Sequence, residues 1–169
     1  SLHDALPILN ILVSILVPIY NVENFIEKCS VSLFEQTYKN IEYVFVNDCS
    51  PDHSIEVLEK VAKNYPNRIN SIKIINHDVN KGLAGARNTA ILNANGDYVL
   101  HVDSDDFIEK TTIEKLVKKA QDDCADIVVF DYYLEWQKVN KKVVHNFDPD
   151  KIKYLDLVLS AQTENFVVN

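Results

Sequence analysis

Residues 11–19, ILVSILVPI, constrain this chain more than any other stretch. The run is apolar almost without interruption and rich in β-branched residues. A strand with one wet face would alternate, and this one does not. It is too short to span a bilayer, and no basic region leads into it as one would in a signal peptide. What remains is a central strand of a parallel sheet, covered on both faces. A chain built on such a strand needs helices for both faces and further strands for both edges.

The rest of the sequence supplies them. Residues 21–37 place Phe25, Cys29 and Leu33 four apart, which predicts a helix. IEYVFVN (41–47) is a second strand. Asp52 is placed to cap a helix whose apolar face is Ile55, Leu58, Ala62 and Tyr65. SIKIIN (71–76) is a third strand, and KGLAGARNTAILNAN a helix ending near Gly96. YVLHV (98–102) is a fourth strand. Thr111 and Glu114 then form a capping box before a helix lined by Ile113, Leu116, Val117 and Ala120. DIVVFDYYLEW and KKVVHNF read as later strands joined by a turn at VNKK, and residues 150–161 as helical. Four strand–helix alternations with short connections predict an α/β fold: a mostly parallel central sheet between helical layers.

Composition narrows the function. The 169 residues are 47% hydrophobic, enough for one domain with a sizeable core. A net charge of −8 argues against a nucleic-acid partner, which calls for a basic face. Three widely spaced cysteines without a CxxC argue against a disulfide framework or a zinc site and for a reducing, cytosolic setting. No membrane segment is read within the chain. Residues 1–8, SLHDALPI, resemble a translated sequencing adapter, and the chain contains no methionine. The expectation is a non-native leader over 1–8 and a single domain over 9–169.

In parallel α/β sheets, ligands bind beyond the carboxyl ends of the strands. Those ends read PIYN (18–21), NDCSPD (47–52), HDVNKGLAGARN (77–88) and DSDD (103–106). Three aspartates within four positions repel one another unless a cation lies among them. Mg²⁺ takes one or two carboxylates and completes its shell with phosphate oxygens and water. Such a cation would stabilise charge on a departing diphosphate. Aspartates after a strand also cap helices and close Asx turns, and from the residues alone DSDD reads either way. Asp106, nearest the coming helix, is the most structural of the three. Asp48 precedes its turn and can accept from the imide N–H of a uracil. Tyr20 offers a flat face for the base, although an aromatic there also serves packing. Arg87 reaches either a phosphate or a surface ion pair. His101 reads as a packed strand residue rather than a ligand. The other histidines lack metal-ligand spacing, and no serine sits in a nucleophile elbow.

Taken together and in order, ILVPIYNVENFIEKCSVSLFEQTYKNIEYVFVNDCSPDHS, NKGLAGARNTAI and ANGDYVLHVDSDD resemble glycosyltransferase family 2 over residues 11–110. The resemblance implies a GT-A, Rossmann-like three-layer fold and an inverting transfer from a nucleotide-sugar donor, with a UDP-sugar foremost. It makes residues 9–169 the nucleotide-sugar-binding domain, cut before its acceptor-binding part. It implies a Mg²⁺ or Mn²⁺ ion, a saccharide or lipid-linked acceptor, and a place in surface polysaccharide or glycoconjugate synthesis. The corresponding location is the cytoplasm or the cytoplasmic face of the membrane. Carried over by position, Pro18 and Tyr20 border the base and Asp48 binds the uracil ring. Arg87 lines the donor site, Asp103 lies near ribose and sugar, Ser104 belongs to the same nucleotide-sugar site, and Asp105 holds the metal.

This chain departs from the family pattern at Asn47 (often aspartate), Cys49 (usually glycine) and Pro51 (commonly threonine). The carboxylate that deprotonates the acceptor hydroxyl is not assigned. Asp131, Glu135, Asp148, Asp150, Asp156 and Glu164 are available, but none has the family's context, and a base beyond residue 169 is the expectation. Two other classes stay open on the residues. One is a non-catalytic nucleotide- or carbohydrate-binding module. The other is a receiver-type signalling domain, which needs a phosphoacceptor aspartate after strand three, where Asn76-His77-Asp78 stands, and a lysine after strand five that is not found.

Overall fold

The computed structural model describes residues 10–136 and 139–143. Strand β1 (Val13–Ile19) is buried at all seven positions. It pairs in parallel with β2 (Ile41–Asn47) along its whole length, from Val13↔Ile41 to Ile19↔Asn47. On its other side it pairs with β4 (Tyr98–His101), but only from Val13↔Tyr98 to Leu16↔His101. Strand β3 (Ile72–Asn76) lies outside β2, so the order is β3-β2-β1-β4. The chain therefore steps outward from β1 to β3 and then jumps back across β1 to β4. That jump is a topological switch point, where a crevice opens at the carboxyl ends.

Pro18 explains why β4 can leave. Proline has no N–H for a ladder, so a sheet tolerates it where a neighbouring strand is missing. The β1–β4 register ends at Leu16, and Val102 N–H closes it by donating to Leu16 C=O at 3.0 Å. Pro18 lies beyond that point, with Val46 of β2 as its register partner.

Side chains alternate across the sheet. Val13, Ile15, Val17 and Ile19 join a large core with α1 (Ile26–Phe34), α2 (Ser54–Ala62) and the start of α4 (Thr112–Asp123). Leu16, Val44 and Val46 face α3 (Gly82–Leu92) through Ala86 and Ala90. This is the three-layer α/β arrangement the sequence predicts. Phe34 anchors the larger core, edge-on to Tyr43 and Phe45 at centroid separations of 5.1 and 6.1 Å.

Several local details differ from the sequence-based expectation. Helix α1 begins at Ile26, so Ile26 rather than Phe25 shares the buried face with Cys29 and Leu33, and Phe25 is exposed. Helix α3 ends at Leu92, short of Gly96. Gly96 is required for another reason: an added Cβ would lie 2.5 Å from Ser14 Oγ and 2.6 Å from Ser14 N. The Glu114 carboxylate accepts from Thr37 Oγ1 at 2.7 Å, and the α4 amide of Ile113 is met by Gln36 Oε1 at 3.1 Å. Gln36 is buried and also donates to Ser32 and Glu109 carbonyls, so it ties α1 to α4.

A second compact unit begins at Lys118. In it the end of α4 carries Lys118–Asp122 and Lys119–Asp123 pairs, and β5 (Tyr132–Trp136) pairs antiparallel with β6 (Val139–Val143). Residues 127–130 are not in a strand, and VNKK is not the turn. Trp136 and Val139 are register partners, so the reversal falls between them and VNKK belongs to β6. The leader over 1–8 and the helix over 150–161 lie outside the described residues.

Arg68 is 7% exposed, and its described partners are backbone carbonyls alone: Gln36 and Tyr38 at 2.7 Å, Lys39 at 2.8 Å and Phe34 at 3.4 Å. Its planar fork braces the α1–β2 connection. Arg68→Met removes every donor from that cluster and should cost about 2–4 kcal/mol by urea unfolding. Arg68→Lys, which cannot fork, should recover less than half of that loss.

Candidate functional site

The carboxyl ends of the four parallel strands carry the predicted site residues, and neighbouring ends are laced together. Asp48 N–H donates to Ile19 C=O and His77 N–H to Asn47 C=O, both at 2.9 Å, which carries the ladder past each strand. Asn47 explains one departure from the family pattern. Its Oδ1 accepts from Ser50 N–H at 2.9 Å while its Nδ2 donates to Asn76 Oδ1 at 2.8 Å. A carboxylate could not make the second bond. Cys49 follows with φ +57, so it keeps the left-handed turn that glycine favours, at some strain.

The β1–α1 and β2–α2 loops are joined by Asp52. Its carboxylate accepts from Ser50 Oγ at 2.6 Å, Ser54 Oγ at 2.7 Å, Ser54 N–H at 3.2 Å and, across the gap, Glu23 N–H at 2.8 Å. Asn21 N–H donates to Ser50 Oγ and Val22 N–H to Ser54 Oγ. The N-cap position of α2 is His53, without a side-chain cap bond, so Asp52 holds the first residue of α2 from one position earlier than the sequence predicts, and it also holds the loop bearing Tyr20. Tyr20 is 50% exposed, with its ring available to a flat ligand, while Pro18 is buried.

Asp48 is more enclosed than the sequence suggests. Its side chain is 3% exposed, as is that of His77. Asp48 Oδ1 meets His77 Nδ1 at 2.7 Å and accepts from Lys81 N–H at 2.8 Å. Desolvation pushes the carboxyl upward, but the hydrogen bonds from His77 and Lys81 outweigh it and hold it below the ordinary aspartate range. Gly82, with φ +73, turns the chain there into α3.

At the other side of the crevice, Arg87 Nη2 donates to Asp103 Oδ1 at 2.7 Å, with both side chains about a quarter exposed. The ion pair weighed as the structural alternative for Arg87 is present, and it joins two predicted donor-site residues. Among the described residues, Arg87 Nε and His101 Nδ1 are buried without a hydrogen-bond partner. Burial and the nearby Arg87 charge lower the pKa of His101, with Asp103 opposing. His101 is therefore a half-buried residue at the site's edge rather than a core histidine.

Ser104 is buried, and Asp105 and Asp106 are exposed. Asp106 is raised by partial desolvation and by the charges of Asp105 and Asp103. The same three aspartates add to burial in pushing the Cys29 thiol to about 12, so Cys29 stays protonated and inert. Among the described residues no group of three metal-ligating side chains forms a closed cage. The residues nevertheless suit Mg²⁺ or Mn²⁺. They are hard carboxylates, mutually repelling and open to solvent at Asp105, which fits an ion that takes its other ligands from phosphate and water.

The structure brings Tyr20, Asp48, Arg87, Asp103, Ser104 and Asp105 to one edge of the sheet. Among the candidates for the base, Asp131 pairs with Lys142 at 2.8 Å in the second unit. The Glu135 side chain and residues 148, 150, 156 and 164 lie outside the described residues. Sequence reasoning missed His77 and Thr89, which share a hydrogen bond of 2.9 Å between His77 Nε2 and Thr89 Oγ1. The three partners, Asp48, His77 and Thr89, stand on separate elements, 29 and 12 residues apart in the chain, so no local pattern signals them.

Comparison with known proteins agrees with the fold. The family model for "Glycosyl transferase family 2" matches residues 14–165. Glycosyltransferase GlyA of Streptococcus pneumoniae is 46% identical over 121 residues, covering 72% of this chain and 17% of that protein. TarS 1-349 of S. aureus, solved in complex with UDP, superposes with a TM-score of 0.60 at 33% identity, covering 66% of this chain and 32% of that one. The mannosyltransferase PcManGT of Pyrobaculum calidifontis, solved with GDP-Man and Mn2+, gives 0.59 at 28% identity over 64% of this chain and 32% of that one. The chain thus spans a third or less of the length of these relatives. A receiver-type domain is set aside by these matches.

Asp52 provides a pH test. Desolvation opposes, but the hydrogen bonds from Ser50, Ser54 and Glu23 depress its carboxyl to about 2. A depressed acid stabilises the fold above its unfolded pKa and loses that contribution as pH falls through the folded value. Stability measured from pH 5 to pH 2 should therefore fall for the wild type, and Asp52→Asn should flatten that fall while lowering stability at pH 7 by about 1–2 kcal/mol.

Proposed function

The chain belongs to glycosyltransferase family 2, and from that premise we propose that its sheet edge binds the nucleotide-sugar donor of an inverting, metal-assisted glycosyl transfer. The observation that carries the reading is the convergence of Asp48, the Arg87–Asp103 pair and Asp105 at the switch point between β1 and β4. Acidic groups alone would repel a diphosphate, so the arginine and a cation are both required.

Each residue has a distinct task in this proposal. Tyr20 presents its exposed ring to the base, and Pro18 shapes the strand end beneath it. The Asp48 carboxylate accepts from the base's ring N–H. Arg87, poised by Asp103, exchanges that partner for diphosphate oxygens when the donor enters. Asp103 and Ser104 then face ribose and sugar. Asp105 would hold Mg²⁺ or Mn²⁺, whose chemistry when bound is to neutralise charge accumulating on the leaving diphosphate. A neighbour solved with UDP and another solved with GDP-Man and Mn2+ support a nucleotide donor and a divalent ion. The acceptor in the proposal is a saccharide or lipid-linked hydroxyl, in surface polysaccharide or glycoconjugate synthesis. Its base is assigned to no described residue. The cytoplasm, or the cytoplasmic face of the membrane, is the proposed location, supported by three free thiols.

Calorimetric titration of UDP, and separately GDP, with and without Mn²⁺ tests the reading. One nucleotide should bind in a Mn²⁺-dependent manner, and Asp105→Asn should weaken it by about tenfold or more. Equal binding with and without metal by a folded chain, or an unaffected Asp105→Asn, would count against it.

A further inference from the structure

Asp48 is not the end of its own hydrogen-bond chain. The carboxylate is an acceptor only, so the proton between it and His77 sits on His77 Nδ1, 2.7 Å away. With that proton fixed, the far nitrogen of a neutral imidazole carries a lone pair. His77 Nε2 lies 2.9 Å from Thr89 Oγ1, a hydroxyl able to donate to it. Thr89 stands on α3 and His77 at the end of β3, so the relay links a helix and a strand behind the carboxylate. The Lys81 amide fastens the same oxygen, Oδ1, at 2.8 Å. A carboxylate with 3% of its side chain exposed and one oxygen held twice has little freedom to turn.

We propose that Thr89 and His77 are positioning residues that hold Asp48 as a fixed, obligate acceptor and so select the nucleotide base. The selected base must offer a ring N–H at its pairing edge, as uracil and guanine do. Cytosine, with a lone pair at that position, would face the carboxylate unpaired and be rejected. The inference rests on the proposed placement of the base at Asp48. Neither His77 nor Thr89 touches the ligand in it; both act through Asp48.

The test combines binding with the histidine's own spectrum, on the full chain. UDP, GDP and CDP are titrated in Mn²⁺, and the His77 ring nitrogens are followed by ¹⁵N NMR without nucleotide. The wild type should bind UDP or GDP at least about tenfold more tightly than CDP and show His77 protonated at Nδ1. Thr89→Val, with Thr89→Ala in reserve if valine prevents folding, should shift the Nε2 resonance and reduce the preference over CDP by about threefold or more. Thr89→Ser, which keeps the hydroxyl, should restore both. A role for Thr89 in packing alone would leave the ratio unchanged. A wild type that prefers UDP or GDP, with a folded Thr89→Val or Thr89→Ala that keeps the full preference and an unmoved Nε2 resonance, overturns the relay. A wild type that binds CDP as well as UDP and GDP overturns the base site itself, and with it the selection proposed here.

Discussion

The structure depends on where β4 parts from β1. A fully buried strand must have its backbone groups paired, and β1 is paired on both sides only up to Leu16. Beyond it stands Pro18, which has no N–H to leave unmet. The parting therefore costs little, and it opens the sheet where β1 delivers Tyr20, β2 delivers Asp48 and β4 delivers the aspartates. The apolar run that makes the core and the residue that ends its pairing are one segment of sequence. Fold and site are consequences of the same nine residues.

A site at a sheet edge is made of loops, and loops need bracing. Here the braces run between loops rather than within them. Asp52 ties the Tyr20 loop to the start of α2, Asn47 ties β2 to β3, and Asp48 ties β2 to the entry of α3. Each uses a side chain whose donor and acceptor pattern fits its neighbours, as the amide of Asn47 shows. Opposite them, Asp103, Asp105 and Asp106 repel one another, and among the described residues Arg87 holds Asp103. Such repulsion is what a ligand-bound cation would relieve.

Much of this was legible in the sequence because it follows from periodicity and strand-end position. Strand β2 runs over the predicted residues, α2 buries Leu58 with Ile55, Ala62 and Tyr65 packed beside it, and the four polar clusters reach one edge. What was not legible depends on partners distant in the chain. Gln36 takes the cap expected of Thr111 and Glu114 because it is 77 residues away in sequence and 3.1 Å away in space. Gly96 is fixed by Ser14 rather than by a helix end. The Asp48–His77–Thr89 chain joins three elements, and no local pattern marks it. The VNKK turn failed for a simpler reason: polar residues in a short hairpin suit the strand as well as the tip.

The central claim is that this one edge of the sheet, and no other surface of the chain, receives the nucleotide and its metal. Mapping ¹H–¹⁵N backbone shifts during titration with Mg²⁺ and the nucleotide that binds tests it most directly. The account predicts changes concentrated at residues 19–22, 47–54, 77–89 and 102–106, with the opposite edge around Asn40, Asn95 and Asp97 unmoved. Changes centred on that opposite edge, or none in 77–89 and 102–106 at saturating nucleotide, would contradict it.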